Sequence, residues 1–200
     1  YQDLIDEHIS RGNMAVLNML NTRYIIQQGE KGPVAQFNPQ ALGNVWFVDS
    51  IQIAPTADAE IAALNGFNPT RMAIVDKRFK HYLEGLSTSN DTTGTIGLID
   101  YAPNRLVYKS DANSPKVAVF SEIYYPKGWI ANVDGKVQDY FRANYILRAM
   151  VVPAGKHEIV FTFKPKMYEV GKGIDLASSL LILLIFLGWI GFEVKKKLKE

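Results

Sequence analysis

The chain has 200 residues, enough for one large domain or two small ones. Apolar residues make up 48% and charged residues 21%, which excludes general disorder, and the absence of cysteine excludes disulfides, thiolate zinc sites and a cysteine nucleophile. The net charge of +2 arises in residues 193–200, which hold four lysines and two glutamates. The remaining residues are neutral by count, so the composition gives no sign of a nucleic-acid-binding face.

Residues 1–86 are predicted to form a mixed α+β subregion. It begins with helix, in which Asn13 caps a second helical run, and Thr56 caps a later helix that Asn65-Gly66 ends. The sequence of residues 77–86 is ambiguous, with helix as one interpretation. Short runs rich in β-branched and aromatic residues predict strands at 23–28, 45–48, 50–54 and 71–76.

Residues 87–166 are predicted to form an antiparallel β-sandwich, immunoglobulin-like or jelly-roll-like. A polar loop at 87–94 comes first, and Asp134-Gly135 later gives the two-residue signal of a type I′ hairpin turn. Seven short apolar runs follow the loop at regular spacing, at 95–101, 105–110, 116–123, 128–133, 136–142, 145–152 and 157–163. So many short strands in about seventy residues are typical of a sandwich.

The C-terminal region contains the strongest signal, a run of 17 uncharged residues at Leu176–Phe192. Residues 174–194 contain one acidic residue near each end. As a helix they would span about 30 Å, the thickness of the hydrocarbon core of a bilayer. A buried core helix is the alternative, but a helix that is apolar on all sides and ends in lysines suits it poorly. We therefore predict a linker at 167–173, a transmembrane helix at 174–194 and a basic tail at 195–200.

The lysines on either side of the predicted span indicate its orientation. Four follow the span in a tight cluster and three precede it, so the positive-inside rule favours a cytoplasmic C-terminus and an extracytoplasmic body, residues 1–173. Residues 1–173 contain no second apolar run of that length, and the chain begins at Tyr1. We therefore expect a longer protein, whose upstream part carries the body across the membrane.

Seven segments carry a resemblance to a known family, in chain order and over most of the chain. They are NMLNTRYII at 18–26, GNVWFV at 43–48, YAPNRLVY at 101–108, FSEIYYPKGW at 120–129, DGK at 134–136, RANYILR at 142–148 and VPAGKH at 152–157. Together with the final span, they resemble the C-terminal region of the bacterial YfhO membrane-protein family.

The resemblance implies a function for the longer protein. Such families are large polytopic proteins similar to membrane glycosyltransferases that take a sugar from a polyprenyl-phosphate carrier and add it to a cell-surface polymer. It implies an extracytoplasmic accessory domain on the bacterial cytoplasmic membrane, with membrane lipid, the upstream transmembrane domain and a cell-surface glycan as partners. The acidic catalytic residue of that architecture lies between early spans, so no catalytic residue and no cofactor is expected here, and the polyprenyl-phosphate sugar belongs to the parent protein.

A search for independent chemistry agrees with a non-catalytic fragment. His8, His81 and His157 lie far apart in sequence and outside any HExxH setting, so we predict no metal site. Gly94 and Gly97 lack the third glycine and the following helix of a phosphate-binding loop. No GxSxG motif is present.

An aromatic cluster within 22 residues supplies the candidate binding site. Its members are Tyr124, Tyr125, Trp129, Tyr140, Phe141 and Tyr145. Trp129 and Phe141 are predicted core residues. Tyr124 and Tyr125 point to opposite faces of a strand, so one should be exposed. We predict ligand contact at the exposed tyrosine with two hydrogen-bonding neighbours; the candidates are Tyr124, Tyr125, Arg142 and Asn144.

Two other functions remain open from the sequence. One is a non-catalytic carbohydrate- or partner-binding β-sandwich tethered to the membrane. The other is a tail-anchored protein whose body faces the cytoplasm and binds a protein partner. Accessibility of the body from outside intact cells distinguishes the second of these from the extracytoplasmic alternatives.

Overall fold

The computed structural model describes residues 1–86 and 93–198. Their helices are α1 Gln2–Leu4, α2 Met14–Met19, α3 Ala57–Ala62 and α4 Lys166–Lys197, with a π-helical segment Ile5–Ile9 and a 3₁₀ helix Lys77–Leu83. Their strands are β1 Tyr24–Gly29, β2 Gly32–Phe37, β3 Val45–Val48, β4 Ser50–Ala54, β5 Met72–Asp76, β6 Thr95–Ala102, β7 Arg105–Ala112, β8 Lys116–Ile123, β9 Trp129–Val133, β10 Lys136–Val137, β11 Phe141–Ala143, β12 Leu147–Val152 and β13 Gly155–Phe163.

The predicted antiparallel sandwich is confirmed. A five-stranded sheet has the order β10-β9-β13-β7-β6, and a four-stranded sheet has the order β11-β12-β8-β3. Alternating apolar side chains from both sheets, among them Tyr108, Phe120 and Phe161, form one buried core. These three rings meet edge to face with centroids 4.9–6.1 Å apart, a favourable arrangement of the ring quadrupoles. Alternation with period two therefore places one face of each strand between the sheets.

The four-stranded sheet is buried on both faces. Ala118 and Phe120 of β8 face the five-stranded sheet, whereas Val117 and Val119 belong to a second core. That second core includes residues of α2, α3 and the parallel pair β4-β5. The N-terminal subregion therefore packs directly on the outer face of the sandwich, which explains why β8 is almost continuously apolar.

Local signals in the sequence correctly predict several caps and turns. The Asn13 side chain accepts hydrogen bonds from the backbone N–H groups of Ala15 and Val16, and Thr56 caps α3. Asp134 and Gly135 have φ values of 50° and 78°, and the strands on either side pair at Val133 and Lys136, as a type I′ turn requires. The ambiguous residues after β5 form the 3₁₀ helix.

One strand prediction is wrong, one strand was missed, and one predicted strand pairs outside its expected subregion. The strand predicted at 136–142 is two strands in different sheets, β10 and β11, because residues 138–140 carry the chain from one sheet to the other. β2 was not predicted; its Gly-Pro start is tolerated because β2 pairs with β1 alone. β3, which lies in the predicted N-terminal subregion, pairs with β8 of the sandwich. The predicted polar loop at 87–94 lies largely in residues 87–92, outside the described residues.

The side chains of α4 that the structure describes are exposed. Residues Lys166–Phe192 form a stretch of 27 residues that is long and apolar enough to cross a membrane, and none of its most apolar part is buried. The described residues therefore do not bury this helix in their core, contrary to the alternative interpretation. The predicted linker at 167–173 is helical, since α4 begins at Lys166 and runs without interruption to Lys197.

Candidate functional site

Tyr124 and Tyr125 differ in exposure as predicted, but they follow β8 and do not lie in a strand, contrary to the prediction. Tyr125 is the exposed one, with about half of its surface accessible (49%). Tyr124 is half-buried and meets the rings of Phe79 and Tyr140 edge to face, at centroid distances of 5.7 and 5.6 Å. Burial raises the pKa of the Tyr124 hydroxyl. Of the two, only Tyr125 offers an open ring to a ligand.

Arg142 lies in an ion network that joins the sandwich to the N-terminal subregion. Its Nη2 donates to Oε2 of Glu60 at 2.6 Å, and its guanidinium lies 5.7 Å from the centre of the Phe79 ring and 5.3 Å from that of Tyr145. Glu60, on α3, is fully buried and also accepts from the backbone N–H of Tyr145 at 2.9 Å. Arg142 is thus largely engaged in holding α3, with one fifth of its side chain exposed.

Asn144 does not contribute to an exposed surface, contrary to the predicted ligand contact. It is fully buried, its side-chain Oδ1 accepts from the backbone N–H of Ile74 at 2.8 Å, and its backbone N–H donates to the Ile74 carbonyl at 2.7 Å. Its φ of 50° lies in the left-handed region, which asparagine adopts more readily than most residues. Asn144 therefore extends the hydrogen bonding of β5 and shapes the turn between β11 and β12.

The turn that contains Asn144 is also tied to the N-terminus. Tyr145 follows with φ 71°, and its hydroxyl donates to Oδ2 of Asp3 at 2.6 Å. This hydrogen bond raises the pKa of Tyr145 to about 12. Phe79 contacts both Tyr124 and Arg142, whereas the Tyr125 side chain lines a separate cleft.

Tyr125 belongs to a cleft of about 500 Å³ between the sandwich and the start of α4. Residues 125–130 form one side of it and residues 164–167 the other. Only Lys164 and Pro165 connect β13 to α4, and the Lys164 N–H donates to the Gly128 carbonyl at 2.7 Å. The connection between β13 and α4 is therefore hydrogen-bonded to the sandwich.

Trp129 lines this cleft and stacks on a buried cation. The Arg148 guanidinium lies 4.2 Å from the Trp129 ring centre and 5.3 Å from that of Phe161, and its Nε donates to the Ile123 carbonyl. Burial lowers the pKa of Arg148, and the charge of nearby Glu122 raises it by a smaller amount. Trp129 is half-buried against the core between the two sheets, whereas Phe141 is fully buried in the second core, on the outer face of the four-stranded sheet. Sequence reasoning missed Arg148, although a cation within the apolar strand Leu147–Val152 was a visible signal.

One serine, histidine and aspartate group lies at the other end of the sandwich. His157 pairs across the strands with Ser110, and its Nδ1 contacts Oδ2 of Asp134 at 2.6 Å. Its Nε2 donates to the Ala154 carbonyl at 3.0 Å, and Asp134 raises the pKa of the imidazole. With both ring nitrogens donating, the ring cannot take a proton from Ser110, so the group is not a hydrolytic triad.

Within residues 1–86 and 93–198, no three or more His, Asp or Glu side chains cluster as a metal site would require.

A β-sandwich that continues into an exposed, membrane-length apolar helix defines a membrane-anchored protein domain. The family described as bacterial membrane protein YfhO matches residues 68–174, more than half of the chain. The chain belongs to this family, which places it in a membrane. No curated protein and no solved structure matches it.

Proposed function

We propose that the chain is an extracytoplasmic accessory domain and membrane anchor of a polytopic glycosyltransferase-like protein. In this proposal, the upstream transmembrane part takes a sugar from a polyprenyl-phosphate carrier and transfers it to a cell-surface polymer. Residues 1–173 lie outside the cytoplasm, and the sandwich shapes the acceptor side of the site above the bilayer. Chemistry stays upstream, and this domain contributes no catalytic residue.

The observation that supports the proposal is the short, hydrogen-bonded junction between β13 and α4. Two connecting residues and the bond from Lys164 to Gly128 leave the sandwich little freedom relative to the start of the helix. A domain held in this way keeps Tyr125 and Trp129 beside the point where α4 starts. Aromatic rings at that position can stack on a sugar ring that is transferred at the membrane surface.

Sidedness is tested by cysteine labelling in intact cells, which is convenient because the chain has no cysteine. The variants Val137→Cys and Leu198→Cys place a thiol on the exposed β10 and beyond the apolar part of α4. In the full-length protein, with any other cysteines replaced, a membrane-impermeant maleimide should label the first variant in intact cells. It should label the second only after permeabilisation, and the opposite pattern would refute an extracytoplasmic body.

The accessory role is tested by measuring the sugar content of the surface polymer in cells that carry full-length variants. Tyr125→Ala should lower the sugar content without destabilising the domain, because the ring is half exposed. Tyr101→Ala is a matched control, since Tyr101 is also an exposed tyrosine but lies on β6, at the opposite edge of the sheet from β9 and β10. Equal sugar content in both variants would contradict the role proposed for Tyr125.

The tethered carbohydrate-binding module is the second candidate, favoured by the same pair of rings, Tyr125 and Trp129, in the cleft. It predicts that the 200-residue chain in nanodiscs binds the purified surface polymer directly. Polymer binding that Tyr125→Ala abolishes, together with unchanged sugar content in the cells, would favour this module over the accessory domain.

A further inference from the structure

The cleft between the sandwich and α4 is lined by positive charge. Lys127, Lys164 and Lys166 all line it, and all three are exposed. Among the lining residues that the structure describes, none is a carboxylate. The three lysines belong to both sides of the cleft, since Lys127 precedes β9 of the sandwich and Lys166 begins α4. An anion is therefore the complementary occupant.

The aromatic side of the cleft adds an apolar surface beneath these charges. Trp129 and Tyr125 contribute rings, and Ile130 and Met167 contribute further apolar surface. Behind Trp129 lies the buried Arg148 guanidinium, whose Nη1 has no hydrogen-bond partner among the described residues. A molecule that carries a negative charge next to an apolar part matches this combination better than a bare ion does.

The location of the cleft indicates where such a molecule comes from. The candidate span Lys166–Phe192 has 27 residues and measures about 40 Å as a helix. The predicted hydrocarbon-spanning part starts at residue 174, so Lys166 lies eight residues, about 12 Å, outside the hydrocarbon core. Each headgroup layer is about 5–8 Å thick, so the long side chain of Lys166 reaches down to the lipid phosphates.

We propose that this cleft binds the headgroup of an anionic membrane phospholipid. The lysines surround the phosphate, and the glycerol and the upper acyl chains rest against Ile130 and Met167. The bound lipid fixes the sandwich against the bilayer in addition to the short covalent junction. The inference depends on the membrane location of the chain and is independent of whether the parent protein transfers a sugar.

Native mass spectrometry of the full 200-residue chain in detergent, titrated with phosphatidylglycerol or phosphatidylcholine, tests the inference. The cleft variant combines Lys127→Gln, Lys164→Gln and Lys166→Gln. A matched control removes three exposed lysines elsewhere, in Lys31→Gln, Lys77→Gln and Lys136→Gln. A lysine near a membrane surface strengthens the binding of anionic lipid about fivefold, so the cleft variant should bind phosphatidylglycerol roughly a hundredfold more weakly.

The proposal predicts that the control binds phosphatidylglycerol as the unaltered chain does and that both prefer it to phosphatidylcholine. Lysine-to-arginine replacements at the three cleft positions should keep the binding, since they keep the charge. Binding that persists in the cleft variant would come from the C-terminal lysines and would overturn the proposal. Equal loss in the arginine variant would also overturn it, by showing a packing defect. Displacement of the lipid by inorganic phosphate alone would point to a soluble phosphate ligand and refute the lipid assignment.

Discussion

The Arg142 guanidinium donates a 2.6 Å charge-assisted hydrogen bond to the fully buried carboxylate of Glu60, 82 residues earlier in the chain. Glu60 lies on α3 and Arg142 on β11, so the pair joins the N-terminal subregion to the sandwich. Burial raises the pKa of Glu60 more than the attraction of Arg142 lowers it. The carboxylate therefore depends on its partner to remain charged inside the protein.

Removing Arg142 should destabilise the fold strongly. Arg142→Ala leaves the Glu60 carboxylate buried without its cation, a change that costs about 3–5 kcal/mol. Glu60→Gln should cost less, because the amide oxygen can still accept from the Tyr145 N–H. Arg105→Ala is the matched control: Arg105 binds Asp100 at 2.8 Å with both side chains exposed, and such pairs contribute less than about 1 kcal/mol. Urea unfolding of the full chain in detergent measures the differences.

The cost of Arg142→Ala should also depend on pH. Because the pKa of Glu60 is raised above its ordinary 4.5, its contribution to stability is fully present below pH 4.5 and is lost as the pH rises through the folded pKa. Without Arg142 that pKa rises further. The deficit of the variant relative to the unaltered chain should therefore grow from pH 4.5 to neutral pH. A deficit in stability that is the same at pH 4.5 and at neutral pH would show that lost packing, rather than buried charge, causes it.

Replacing Asn144 by alanine or by glycine should lower the stability of the protein, and by more for alanine. Both changes leave the buried Ile74 N–H without its acceptor, which costs about 1–3 kcal/mol. Alanine adds the strain of a left-handed φ of 50°, about 1 kcal/mol more, whereas glycine adopts it freely. Thermal unfolding should rank the proteins as unaltered, Asn144→Gly, Asn144→Ala. An exposed ligand-binding role for Asn144 would instead leave all three equally stable.

Gly128 should be essential for the junction with α4. A Cβ at this position would lie 2.6 Å from Cε2 of Phe163, and the φ of 139° is strained for any residue with a side chain. Gly128→Ala should therefore lower stability by at least about 1–3 kcal/mol. Gly97→Ala provides the control, because Gly97 has free space around its Cβ position and no positive φ. Comparable unfolding midpoints for the two variants would contradict a tightly packed junction.

The Asp134–His157 pair should stabilise the sandwich most in mildly acid solution. His157 has a raised pKa, so its contribution is complete below its ordinary 6.5 and is lost as the pH rises through the folded value. Asp134 has a lowered pKa, so its contribution is complete above 3.8 and is lost as the pH falls through the folded value. The difference in unfolding midpoint between the unaltered chain and His157→Gln should therefore be largest between pH 3.8 and pH 6.5, where both contributions are complete. A difference that does not change with pH would exclude an ionic pair.

The sequence predicts the elements of this protein well where the signal is local. Asn13 and Thr56 cap helices because a short side-chain oxygen reaches the nearby N–H groups. Asp134-Gly135 forms its turn because those residue types accept positive φ. The alternation of β13 and the uncharged run of α4 likewise depend only on neighbouring residues. These features were sufficient for the sandwich and the membrane helix.

The contacts between residues that lie far apart along the chain depend on the tertiary structure. Nothing near Arg142 in sequence indicates that Glu60 binds it, and β3 pairs with β8 across about seventy residues. Asn144 is buried because β5 lies beside its turn, a contact that no local pattern encodes. Long-range pairs form when separate elements pack to bury their apolar faces, so their identity depends on the whole fold. Local chemistry thus determined the helices, the turns and the span, and packing determined which predicted site residues remained exposed.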